Sequence, residues 1–265
     1  MRQISKIAFV LILIINNLFG LNNNNEVKIC DDESGWAPYA YEKDNKILGF
    51  TISLSDEIFK RVGLKHRFEM IPWKRCTYMV DNFDKTHKYE MFADGSYSDE
   101  RANKYYQSDE IYSTHEAIFY SIKKFNNKQI LNIIDTNVNS LKMCDVNGYQ
   151  TEHYKKVLGY TQKIDKSAKN FSMVLKKILK NRCDAMLAPQ EIIFGGEVVG
   201  QYKIPKEIRS KELTQYKPLP FYFWIAKTSP RGKELLKKIN QAIRDIKADG
   251  TYEKLYKINI LDKMK

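Results

Sequence analysis

The sequence predicts an α/β protein of two lobes, on three observations. Its first third alternates strand and helix patterns, the alternation resumes beyond a polar, basic break at Lys123 to Lys128, and a long amphipathic helix lies near the C-terminal end. Short apolar strands separated by helical patterns read as βαβ units, an open sheet covered by helices.

Val27 to Cys30 is a short strand running into Asp31-Asp32. Ser34 to Tyr41 holds Gly35, Trp36, Pro38 and two tyrosines, the composition of a loop lined with aromatics. Asp44-Asn45 signals a turn, since both side chains bond readily to nearby backbone. From Thr51 to Val62 the residues Ile52, Leu54, Ile58, Phe59 and Val62 recur at helical spacing, and Gly63 suits a C-cap. His66 to Met70 alternates as a strand, Pro72 opens a helix over Trp73 to Phe83, and Glu90 to Ala93 is a strand before a polar loop, Asp94 to Arg101. Tyr112 to Ile122 is apolar and aromatic, and the lobe boundary is read just after it.

In the second stretch Leu141 to Val146 reads as a strand, Gln150 to Leu158 as a helix and Lys163 to Ile164 as a further strand. Ser172 to Asn181 places Val174, Leu175, Ile178 and Leu179 on one helical face. A strand at Asp184 to Leu187 precedes a helix or turn from Gln190. Ile208 to Ala226 is strand-like around Pro218 and Pro220. The amphipathic helix runs from Gly232 to Ile246, Asp249-Gly250 breaks it, and a shorter helix starts at Tyr252.

Ahead of these elements, Arg2 and Lys6 flank the start of an unbroken apolar run, Ile7 to Ile15, and Gly20 precedes the polar Asn22 to Asn25. These are the parts of a secretory signal, expected over residues 1–20 with cleavage near Leu21. The run is short for a membrane span; an uncleaved anchor is the alternative. Lipid attachment at Cys30 is not expected, because it lies far beyond the run. Export implies an oxidising compartment, so Cys30, Cys76, Cys144 and Cys183 are expected to form two disulfides, with buried free thiols as the alternative; a zinc site is not expected, since no CxxC element exists.

The net charge of +12 admits nucleic acid, an anionic surface or an anionic solute. The lysines are spread along the chain without a basic tail, so a nucleic-acid groove is not expected. No phosphate loop, EF-hand spacing, HExxH or G-x-S-x-G is present, and His66, His87, His115 and His153 form no constellation. No cofactor and no metal are expected.

Several segments, taken in order, carry a resemblance. Trp36-Ala37-Pro38-Tyr39 resembles an aromatic-x-Pro-aromatic loop, and Gly49-Phe50 with the helix to Gly63 resembles a G-F-x-x-D-L segment and its helix. Pro72-Trp73-Lys74-Arg75 resembles P-W-x-R. Asp99-Glu100-Arg101 and Ser108 to Tyr112 resemble x-x-R followed by F-S-x-P-Y, and Asn181 to Ala185 resembles N-G-R-x-D-A. Phe221 to Pro230 with Asp249 to Tyr252 resembles the same family's C-terminal end. Together they resemble the bacterial periplasmic solute-binding proteins, family 3, that serve polar amino-acid ABC transporters.

The resemblance implies the two-lobed periplasmic-binding-protein type II fold with hinge crossovers near Ile122 to Lys128 and Lys217 to Tyr222. Lobe 1 is then 27–122 with 222–265, and lobe 2 is 126–217. It implies a monomeric periplasmic protein that closes over a small polar molecule, carboxylate-bearing by the argument below. The protein would pass that molecule to an inner-membrane ABC transporter permease without chemistry. A ligand-sensing module and a lyase or dehydratase on the same fold remain alternatives, because fold does not dictate function. With lobes so drawn, the expected disulfides are Cys30–Cys76 and Cys144–Cys183, each within one lobe, since a bridge between lobes restrains the hinge.

By the same resemblance Arg101 clamps a ligand carboxylate, a role suited to the planar donor fork of guanidinium. Ser96 and Asp94 are expected ligand contacts on the loop before it, with a loop-shaping role as the alternative. Trp36 and Tyr39 offer a flat wall, Tyr39 having packing as its alternative, while Trp73 reads as structural. Arg75 either reaches the cleft or pairs on its own lobe. In lobe 2 the sequence departs from the family. Tyr149 stands where serine or threonine is common after the glycine matched by Gly148. Pro189 stands where an aspartate commonly neutralises a ligand ammonium, and Glu191 is the available substitute. Asp184 reads as structural. An amino acid and a simple organic acid both stay open as ligands.

Overall fold

The chain builds two main sheets and passes from one to the other twice. A computed structural model describes residues 26–262; the expected signal at 1–20 and the last residues of lobe 1, 263–265, lie outside them. The first sheet starts with β1 (Glu26–Asp32), whose Val27 and Ile29 are fully buried. β2 (Tyr41–Lys43) and β3 (Lys46–Leu48) form a hairpin closed by Asp44 and Asn45, both at positive φ, as a tight primed turn requires. α1 (Phe50–Val62) buries Phe50, Leu54, Ile58 and Phe59. It ends at Gly63, whose φ of 71° is the left-handed conformation that lets the cap bond back to the last turn.

β4 (Lys65–Ile71) runs parallel to β1. Then follow α2 (Trp73–Asp81), α3 (Phe83–Thr86), β5 (Met91–Ser96), α4 (Asp99–Lys104), β6 (Tyr105–Gln107) and β7 (Tyr112–Thr114). The polar stretch read as a loop is therefore the end of β5 and the short helix α4. Ser98 caps that helix, its Oγ accepting from the Arg101 amide at 3.2 Å.

The second sheet is built by β8 (Glu116–Ser121), which pairs antiparallel with β11 (Ala185–Pro189) and β12 (Ile208–Glu212). Between them lie α5 (Asn127–Asn137), β9 (Cys144–Val146), α6 (Glu152–Leu158), β10 (Asp165–Ala168) and α7 (Phe171–Leu179), and after β11 comes α8 (Gln190–Val198). β9 and β10 are parallel, and a bridge between Met143 and Ala185 joins them to β11. α5 carries a reciprocal capping box between Asn126 and Gln129, and α7 is capped by Asn170.

β13 (Leu219–Ala226) returns to the first sheet, pairing with β5, β6 and β7. α9 (Gly232–Ala248) buries Leu235, Ile239, Ala242, Ile243 and Ile246, the stripe its periodicity announced, and α10 (Thr251–Tyr256) follows. Each fully buried Leu or Ile contributes about 1.5–3 kcal/mol, so this stripe, more than helix propensity, holds α9 on the first lobe.

The first crossover lies earlier than the expected Ile122 to Lys128. β7 pairs with β13 in the first sheet and β8 pairs in the second, so the chain changes sheets between Thr114 and Glu116. A run rich in buried apolar residues hides this change, because the polar residues Ser113 to Glu116 break it only briefly. Lys123 to Lys128 instead turns the chain into α5. The second change of sheet falls between Glu212 and Leu219. Disulfides join Cys30 of β1 to Cys76 of α2, and Cys144 of β9 to Cys183 just before β11. Each stays within one sheet's unit.

Candidate functional site

A cavity lies between the two units, walled by the ends of β1, β5 and α4 on one side and by β8, β9, β11 and the Tyr149 to His153 segment on the other. The first wall brings together four of the residues singled out in the sequence: Trp36, Asp94, Ser96 and Arg101. The strand end and capped helix place them locally, since Asp94, Ser96 and Arg101 lie within one strand–turn–helix.

Arg101 is buried. Its Nη1 donates to the Ser96 carbonyl at 2.6 Å and to Ser96 Oγ at 3.3 Å, and its guanidinium lies 5.4 Å over the Trp73 ring and 5.8 Å over Phe92. Among the described residues it forms no ion pair with a carboxylate, although burial pushes its pKa down to about 10, still charged at neutral pH. Ser96 thus holds the arginine. Trp73, read as purely structural, packs edge-on against Phe92 and also lines the cavity beneath the guanidinium. Arg75 is exposed and away from the cavity.

Three aspartates of this wall, Asp31, Asp32 and Asp94, face the same space. Asp94 Oδ1 accepts from Thr51 Oγ1 at 2.7 Å, while Oδ2 is buried without a partner; burial pushes this carboxyl up to about 6. Asp31 Oδ1 accepts the Asp32 amide at 2.7 Å and its Oδ2 is likewise unpartnered; burial first, then the charge of Asp94, raises it well above the usual carboxylate range. Asp32 accepts the Ser34 amide at 3.0 Å and, across the cleft, the Tyr149 hydroxyl at 2.8 Å. Tyr149 also meets the edge of Trp36, with ring centroids 5.6 Å apart. Where the family commonly has a small hydroxyl residue, this chain has a phenol that spans the lobes.

Tyr39 is not at the site. It is fully buried, stacks on Tyr112 at 3.7 Å and packs edge-on to Phe50, so its ring is core of the first lobe. The aromatic that faces the cavity from this loop is Trp36, which is also bonded from Nε1 to the Tyr112 hydroxyl at 3.0 Å. Glu191, the sequence substitute for the missing second-lobe acid, is also elsewhere. It accepts from the His115 amide and pairs with His115 Nδ1 at 2.7 Å. Asp184 accepts the Lys142 amide at 2.8 Å and pairs with Lys124, bracing its own lobe.

The sequence reading missed Glu116, Asp145 and His153, all lining the second wall. Both carboxylate oxygens of Glu116 are buried without a partner, and burial, with Asp145 and then Glu191 nearby, pushes it up to about 8. Asp145 Oδ1 accepts the Val146 amide at 2.7 Å, and burial pushes its carboxyl up to about 7. Burial lowers His153 to about 4, leaving it neutral. The available signal was a lone carboxylate opening the otherwise apolar strand Glu116 to Tyr120. Among the described residues no set of three or more His, Cys, Asp or Glu is arranged to hold a metal, and no helix is long and apolar enough to cross a membrane.

The cavity wall thus carries one buried guanidinium and several buried carboxyls. Residues 27–260 match the family described as bacterial extracellular solute-binding proteins, family 3. No curated protein sequence matches significantly. Among solved structures, the arginine-, lysine-, histidine-binding protein ArtJ from Geobacillus stearothermophilus is similar at 20% identity and a TM-score of 0.68, over 88% of this chain and 94% of that one. An ancestral arginine-binding protein bound to arginine is similar at 22% identity and a TM-score of 0.67, over 88% and 97%. A structure described for glutathione import via GshT and the cystine ABC importer TcyBC of Streptococcus mutans is similar at 20% identity and a TM-score of 0.70, over 89% and 95%. At these identities the likeness is one of fold.

Proposed function

The chain belongs to family 3 of the bacterial extracellular solute-binding proteins, and we propose that its cleft closes over an amino acid or a close relative. Arg101 clamps the carboxylate, and Asp94, with Asp31 behind it, meets the ammonium. The observation that supports this best is Arg101 itself, a buried guanidinium fork on the cavity wall with no carboxylate paired to it among the described residues. A buried charge without a counter-charge is costly, and a ligand carboxylate removes that cost bidentately. The fold relatives described as bound to arginine and to glutamine make the same class reasonable.

Both lobes line the cavity, and the Tyr149–Asp32 hydrogen bond joins them, so ligand and closure stabilise each other as in a hinged two-state equilibrium. The protein is exported through the signal at 1–20, works in the periplasm as a monomer and presents its closed form to an inner-membrane ABC permease. Titration calorimetry of refolded, ligand-stripped protein tests the reading. Arg101→Ala is expected to weaken amino-acid binding about 30-fold or more, the consequence of truncating one partner of a buried charge pair. Amino-acid binding that Arg101→Ala leaves unchanged overturns it.

A further inference from the structure

The two walls of the cleft repeat one construction. In each, a half-cystine near the end of a parallel strand is followed by a buried aspartate whose Oδ1 takes the next backbone N–H: Cys30-Asp31 at 2.7 Å in β1 and Cys144-Asp145 at 2.7 Å in β9. In each, a second buried carboxyl lines the same cavity with oxygen left unpartnered, Asp94 in the first lobe and Glu116 in the second. Glu116 lies directly across from Pro189 in the β8–β11 register. The strand end that lacks a carboxylate is thus flanked by one from its neighbour.

Resting on the amino-acid reading, we infer that the solute carries two cationic groups, one met by Asp31 and Asp94 and the other by Glu116 and Asp145. An amino acid with a single ammonium satisfies one wall and leaves both Glu116 oxygens dry and without a partner, an arrangement that disfavours it. A side chain ending in an ammonium or guanidinium satisfies both. The solute class is therefore a basic amino acid or a derivative that keeps both cations.

Calorimetry with lysine, ornithine and arginine against norleucine and glutamine tests this, using wild type, Glu116→Gln and Asp145→Asn. Wild type is expected to prefer the dicationic solutes by about tenfold or more. Glu116→Gln, an isosteric change, is expected to erase most of that preference, weakening lysine and arginine relative to glutamine and norleucine by about tenfold. Asp145→Asn is expected to act in the same direction. Equal effects on both solute classes, no effect, or a wild-type preference for the neutral side chains overturns the inference and leaves the carboxylate clamp standing. Tight binding of lysine that ignores Arg101→Ala sinks the clamp and leaves the two-cation site standing. No binding of any of these solutes by folded protein overturns both.

Discussion

The first and second walls of the cleft use the same materials and differ in how they satisfy them. On the first wall the chain supplies its own supports: Ser96 holds Arg101, Thr51 holds Asp94 and Ser34 caps Asp32. On the second wall Asp145 keeps one backbone bond and Glu116 has none. The first wall leaves one oxygen each of Asp31 and Asp94 without a partner, but Ser96 holds its cation and one bond holds each of those carboxyls. Glu116 has no support among the described residues, and a bare carboxyl draws its stabilisation from what binds there. On the proposed reading, the difference anchors affinity in the first lobe and selectivity in the second.

The largest expected effect tests the first half of that contrast. Arg101→Ala weakens every carboxylate-bearing ligand about 30-fold or more, and a loss confined to one side-chain class breaks the contrast. Removing a disulfide comes next. Replacing Cys30 and Cys76, or Cys144 and Cys183, by serine is expected to cost about 2–5 kcal/mol each in denaturant melts. If the paired construction matters, each loss also weakens binding, since each cystine adjoins an aspartate of the cavity.

A pH series sharpens the second half. Glu116 is raised from the ordinary 4.5 to about 8 by burial, so the folded, ligand-free protein binds a proton that the unfolded chain releases. Its stabilising contribution is complete below the ordinary value and is lost as pH rises towards about 8. Ligand-free thermal midpoints should therefore fall more steeply with pH between those values in wild type than in Glu116→Gln. Dicationic affinity should move the other way, strengthening as pH rises and the carboxylate charges. A pH-independent difference between the two proteins contradicts this. The smallest effect is Tyr149→Phe, which removes the hydroxyl bond to Asp32 across the cleft and is expected to cost about 0.5–1.5 kcal/mol of closure, read as a faster ligand off-rate.

Much of the first wall was legible because its parts are neighbours in sequence. Asp94, Ser96 and Arg101 belong to one short motif, and α1 and α9 announced their buried faces by periodicity. The second wall was not legible in that way. Glu116, Asp145 and Pro189 come from separate strands, and only the register that sets Pro189 across from Glu116 shows where a carboxylate takes the place of the absent one. Tyr39 and Glu191 were misplaced for a related reason. A tyrosine directly after Pro38 and a glutamate two after Pro189 have no local feature that says which way they point, and stacking on Tyr112 and pairing with His115 decided it.

The sequence by itself determined the α/β alternation, the helix faces, the turn at Asp44-Asn45 and the motif around Arg101, because these depend on spacing and backbone preferences within a few residues. The tertiary structure alone decided that the chain changes sheets at His115, that Tyr149 reaches Asp32, and that Glu116 opens onto the cavity. Those outcomes depend on strand register and on which lobe faces which, and such long-range pairings leave no periodic trace in the chain.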